Sequence, residues 1–289
     1  MINKPLLLII MAGICGGNVY PLIKIAETYN IPKFSYIFWE SLFVVIIVSF
    51  IALIKNQKKL LNKNDITYYS FCAVTNIVIP QTLFFTIAPN VAANILSLII
   101  VLTPILVYMA SAVFLKESLN INKGLGVILG LGGIVVLLAP KLLETDTSVN
   151  IYWFAIALLI PINYAFNRIV ASKLLPSNSS PYSLTIGLFS CVASISFIGM
   201  VLSQQFYIPW HNLHYGDLAL FLHALFMAIF YMIFFVIARQ NALQNSLSLY
   251  IAPLVGMMWG YFLFNEAFTL TFTLSAALVF WGLYLVTKK

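Results

Sequence analysis

Charge is what this sequence has least of. Asp, Glu, Lys and Arg make up 8% of its 289 residues, while hydrophobic residues make up 62%. A soluble domain carries about 25% charged residues, and a chain with so few cannot cover a water-facing surface. Cysteine is also scarce: Cys15, Cys72 and Cys191 lie far apart in apolar stretches, with no CxxC pair. That spacing supports neither a disulfide framework nor a zinc site. Catalytic constellations are missing too. There is no Ser/His/Asp arrangement and no paired acidic motif, and "GLGVILGLGG" lacks the GK[ST] ending of a phosphate loop. The sequence therefore reads as a non-enzyme without cofactor or metal. The net charge of +7 is not gathered into a basic groove, so nucleic acid is not an expected partner.

What the sequence has in quantity is long apolar runs. They fall at about 5–26, 35–54, 66–88, 91–115, 122–139, 151–171, 182–203, 216–238, 244–264 and 270–287, each near the length needed to cross a bilayer as a helix. The expected class is an all-α integral membrane protein with ten transmembrane helices. The first run resembles a cleavable signal at its start, but its apolar character continues through "NVYPLIKIA", so it is read as a retained span. With the N-terminus inside, twelve Lys and Arg fall on or toward the cytoplasm, and only Lys24, Lys33 and Lys141 fall outside. The positive-inside bias thus places both termini in the cytoplasm. The expected location is the cytoplasmic (inner) membrane.

The chain also repeats itself. Sliding it by 149 positions superposes Pro104 on Pro253, Glu117 on Glu266 and Gly133 on Gly282, and a weaker echo at a shift of 144 matches Tyr20 with Tyr164 and Lys24 with Arg168. Repeats of five helices, an odd number, enter the membrane with opposite orientations, an arrangement found in secondary transporters. The expected organisation is a first repeat over 1–140, an outer connector over 141–149 and a second repeat over 150–289.

The stretches "TPILVYMASAVFLKESLNINKGLGVILGLGGIVVLL" and "APLVGMMWGYFLFNEAF…LVFWGLYLV" resemble the paired EamA-type domains of the drug/metabolite transporter superfamily. The resemblance implies two inverted five-helix halves. Helices one to four and six to nine would line a central cavity, with five and ten packed behind. Members move amino acids, nucleotide-related metabolites and other small solutes, often outward. Many carry an arginine in the second helix, where this chain has Glu40 in "YIFWESLFV", a reversal that changes the charge of the solute preferred.

An ionisable side chain inside a membrane span is a functional candidate by default. Glu40, beside Trp39, is read as a ligand for a cationic group or a coupling proton, or else as the partner of Lys24 at similar depth. His223 has Met227 and Tyr231 on the same helix face; it suits proton relay or simple packing. Asn163, Tyr164, Asn167 and Arg168 follow Pro161, with Asn163 and Asn167 on one face. They would contact a carboxylate, or else serve helix packing and snorkelling. Asn18 and Tyr20 before Pro21, and Asn76 and Gln81 around Pro80, allow the same two readings. Glu117 and Glu266 are read as end-of-helix or inter-helix contacts.

The function expected is secondary transport of a small polar or amphipathic metabolite by alternating access, an amino acid or relative first, with export favoured. A multidrug or cation efflux carrier is the alternative, and a membrane enzyme or channel ranks below both. Expected partners are the solute and the lipid bilayer. A coupling proton and a homodimer are left open.

Overall fold

The computed structural model describes residues 4–57, 65–114, 121–143, 148–177, 179–211, 214–240 and 242–287. Among these the chain is 85% helical and has no strand. The helices are α1 (Lys4–Gly17), α2 (Val19–Thr28), α3 (Lys33–Ile54), α4 (Ile66–Cys72), α5 (Ile79–Ile87), α6 (Ala93–Ile100), α7 (Leu102–Phe114), α8 (Ile121–Leu143), α9 (Ser148–Leu174), α10 (Pro181–Leu202), α11 (Tyr215–Gln240), α12 (Ala242–Phe264) and α13 (Leu270–Thr287). A π-helical segment, Ala73–Val78, joins α4 to α5.

Among the described residues, six helical stretches are long and apolar enough to cross a membrane: Lys33–Ile54, Ile66–Ile87, Ala93–Ala110, Tyr152–Ala171, Pro181–Leu202 and Tyr215–Ile237. Three shorter apolar helices, Lys123–Leu137, Ile251–Phe264 and Leu270–Leu285, accompany them.

Proline chemistry explains where apolar runs break. Pro21 has no N–H to bond back to the carbonyl of Gly17, and the helix parts at Asn18, whose side-chain amide donates to Ile14 O at 2.5 Å. Pro80 likewise lies just past the π-helical segment; the widened turn accommodates a ring that cannot enter a regular ladder. Pro161 and Pro253 lie inside α9 and α12 without ending them.

The chain divides into two compact units. Unit 1 comprises Met1–Pro89 and Ala171–Ala252, and unit 2 comprises Asn90–Val170 and Pro253–Lys289. Each unit thus draws on both sequence halves, with α9 and α12 passing from one to the other. In unit 1, α3 buries Ile37, Val44 and Val48 against Tyr69 of α4, Leu188 and Val192 of α10 and Ala224 and Ala228 of α11. Its other face exposes Ile46 and Phe50, the latter 63% accessible. An apolar outer face with Ser35, Glu40 and Ser41 on the inner one inverts the pattern of a soluble helix, as a lipid solvent requires.

In unit 2, α8 and α13 pack along their length. A Cβ on Gly282 would stand 2.5 Å from Gly126 O and 2.6 Å from Gly130 N, so the two backbones meet with no room for a side chain. Ser275 donates to Gly133 O at 2.6 Å in the same seam.

Candidate substrate-binding site

Three polar contacts in unit 1 link α3, α11 and the stretch formed by the π-helical segment and α5. Tyr36 of α3 shares a hydrogen bond with His223 Nδ1 of α11 at 2.9 Å. Glu40, four residues further along α3, accepts from Gln81 Nε2 of α5 at 2.9 Å through Oε2. The Asn76 amide of the π-helical segment donates to Tyr231 OH of α11 at 2.8 Å. Because α3 begins at Lys33, Glu40 lies about two turns inside its helix. It is fully buried, as are Tyr36 and His223, and Gln81 is nearly so.

Aromatic rings wall this cluster. Tyr36 meets Phe85 edge-on at 5.1 Å between centroids, and Tyr20 meets Phe84 at 5.4 Å. Phe84, Phe85 and Gln81 all belong to α5, so one short helix supplies both the amide and part of the apolar wall. In such surroundings an uncompensated polar atom is costly. Yet Glu40 Oε1, Gln81 Oε1 and His223 Nε2 are buried without a hydrogen-bond partner.

The remaining expected site residues are placed as follows. Asn18 and Tyr20 are buried at the junction of α1 and α2, and Lys24 is half-buried on α2. Glu40 is engaged by the Gln81 amide. Trp39 donates its indole N–H to Tyr207 O at 2.8 Å, so it anchors the α10–α11 connector. Asn163, Tyr164 and Arg168 are half-buried and Asn167 is buried, all on α9 in unit 2. Glu117 lies outside the described residues.

Glu266 makes the inter-helix contact expected of it. Its two carboxylate oxygens accept from Ala93 N at 2.7 Å and Asn94 N at 2.8 Å, the first free donors of α6. Asn265 adopts φ 50°, turning the chain so that the Glu266 N–H bonds Gly260 O at 2.9 Å. Opposite charge at a helix N-terminus is favourable, and here it replaces the side-chain cap that Ala92 cannot provide.

Two polar clusters at the ends of unit 1 escaped the sequence reading. At the start of α11, buried Asp217 accepts from Tyr207 OH at 2.5 Å, and Tyr207 OH also contacts His214 Nε2 at 3.0 Å. Burial, then the Asp217 hydrogen bond and charge, raise the Tyr207 phenol above its ordinary range. At the start of α4, Asp65 accepts from Ser179 Oγ and from Tyr69 OH. Tyr36 escaped as well; its place four residues before Glu40, on the same helix face, was the available signal.

Among the described residues no group of three or more His, Cys, Asp or Glu side chains is arranged to hold a metal ion. The model of the EamA-like transporter family matches residues 3–139. No curated protein matches the chain. A solved crystal structure is similar at a TM-score of 0.67 and 15% identity, covering 98% of this chain and 96% of that one; at this identity the likeness shows the fold alone.

Proposed function

We propose, from the match of residues 3–139 to the EamA-like transporter family of the drug/metabolite transporter superfamily, that the chain is a secondary transporter working by alternating access. In this reading ten helices cross the cytoplasmic membrane as two inverted repeats, 1–140 and 150–289, with both termini in the cytoplasm. The periodic Pro and Glu positions, the odd helix count per repeat and the one-sided Lys and Arg distribution support it.

The solute is a small polar or amphipathic metabolite, an amino acid or relative first, moved outward. The observation that carries the reading is the buried Glu40–Gln81 pair, because lipid-embedded carboxylates mark solute or ion paths. The same carboxylate favours a second reading, efflux of organic cations, since an anionic site attracts positive charge.

Counterflow of radiolabelled solutes in proteoliposomes tests the function. Saturable exchange is expected with the native chain and loss of it with Glu40→Gln. Transport unchanged in rate and pH profile by that substitution would remove Glu40 from the site.

A further inference from the structure

The connector between α10 and α11 is tied down within unit 1. Ser35 of α3 donates to Gln205 O, and Trp39 of the same helix donates to Tyr207 O at 2.8 Å. The far end of the connector meets the turn that follows α2. There Tyr29 stacks on the His214 ring, with 5.0 Å between centroids and 15° between planes. A Cβ on Gly216 would stand 2.9 Å from Tyr29 Cβ and from Ile31 Cδ1, so α11 begins with a residue small enough for that turn to close upon it.

Proton accounting fixes how this cluster is bonded. Tyr207 has a single O–H, and an ionised Asp217 Oδ1, 2.5 Å away, only accepts. The phenol keeps that proton, because burial and the carboxylate beside it raise it above its ordinary range. His214 Nε2, 3.0 Å from the same phenol oxygen, is then the donor. A neutral imidazole with its proton on Nε2 has a lone pair on Nδ1. That nitrogen is buried without a hydrogen-bond partner and lies 3.8 Å from Asp217 Oδ2. Two acceptors face each other.

A second proton on the ring turns this mismatch into an ion pair. Nδ1–H then faces Asp217 Oδ2 while Nε2–H stays on Tyr207. The stack gains too, since an aromatic face attracts a cation laid over it. A cation at the N-terminus of α11 is by itself unfavourable, but Asp217 in the first turn supplies the countercharge. The elements packed around His214 carry further charged or titratable groups. They are His211 in the connector, Tyr215 on α11, Lys24 and Glu27 on α2, and Lys33 at the start of α3. Lys33 lies over the Phe34 ring at 5.6 Å, and Tyr215 meets the Tyr29 ring at 6.4 Å.

Whatever the solute, we propose that His214 is the catch of a proton-operated clasp joining the turn after α2 to the α10–α11 connector, tight when the imidazole is charged and slack when it is neutral. Trp39, which holds the connector, precedes Glu40 in α3, so the clasp closes on the helix that bears the buried carboxylate. The closed form binds one proton more than the open one. Closing therefore grows as pH falls and is lost as pH rises.

Hydrogen exchange of the purified full-length chain in detergent, read by mass spectrometry on peptides covering 25–33 and 203–217, tests this. It is run between about pH 5.5 and about pH 8, where imidazole changes charge. After correction for the intrinsic pH dependence of exchange, both peptides should be about fivefold better protected at the acidic end, an effect of the size a partly exposed ion pair gives. His214→Gln keeps a donor for Tyr207 but gains no charge, so it should remove the difference, whereas His211→Gln should leave it. Should His214→Gln fail to fold, the native chain gives a second reading. With carbon-13 at Cε1 of its three histidines, the His214 resonance should titrate in step with the protection. The proposal is overturned if protection does not change with pH, if the change survives His214→Gln or vanishes with His211→Gln, or if the His214 resonance does not follow it. Solute counterflow is measured separately, so a failed clasp leaves the transporter reading where it stood.

Discussion

Glu40 and Glu266 are both carboxylates in a chain that has few, and their surroundings differ in one respect. Glu266 commits both oxygens to backbone N–H groups of α6, so its charge completes a helix. Glu40 commits one oxygen to an amide and keeps the other unpartnered in a fully buried position. A satisfied carboxylate in a membrane protein holds structure together; an unsatisfied one, kept at a desolvation cost, is where a ligand belongs. Hydrogen-bond completeness, rather than charge or sequence repetition, is what sets the two carboxylates apart. Glu266 is the half of the repeated Pro–Glu pair that the structure describes, and it is the structural one.

Substitutions can break this contrast, beginning with the largest effect. Glu40→Gln should bring solute exchange in proteoliposomes to background while the melting temperature holds or rises, because a buried charge is removed. A large fall in melting temperature would assign Glu40 to structure instead. Glu266→Ala should do the reverse. Losing a charged cap on α6 should cost about 2 kcal/mol of stability, read by thermal melting, with an unchanged apparent affinity for solute. An altered affinity would merge the two roles.

Gly260→Ala approaches the same cap from its other side. The added Cβ would come within 2.4 Å of Glu266 Oε2 and 3.1 Å of Asn94 N, which displaces the carboxylate. About 1 kcal/mol of destabilisation is expected, and combining it with Glu266→Ala should cost little more than Glu266→Ala alone. Full additivity would mean the glycine serves something else. The smallest effect is expected of Tyr231→Phe, which removes the acceptor of Asn76 and should cost about 1 kcal/mol or less. Loss of exchange with intact stability in that variant would extend the site to the Asn76–Tyr231 contact.

Much of the helical layout was legible because lipid imposes a simple rule: long apolar runs become helices. The breaks were half legible. Pro21 and Pro80 announced disturbed turns, but not that Asn18 would split one helix or that six residues beside Pro80 would form a π-helical segment. Glu40, Gln81 and His223 were legible as polar residues in apolar runs. Their pairing was not, since a one-dimensional pattern does not say whether Glu40 meets Lys24 or Gln81. Tyr36, Asp65 and Asp217 were missed for a related reason. A tyrosine in a membrane span, or an aspartate at its edge, is ordinary until a partner from a distant segment arrives.

The seam between α8 and α13 has a consequence for biosynthesis. Gly126, Gly130 and Gly133 are made before the surface they fit, and Ser275, which bonds Gly133 O, follows 142 residues later. Until then α8 must wait in the bilayer with its glycine face against lipid or a chaperone. A chain truncated before α13 would therefore present that face unfilled, offering the quality-control machinery of the membrane a recognisable mark of an unfinished protein.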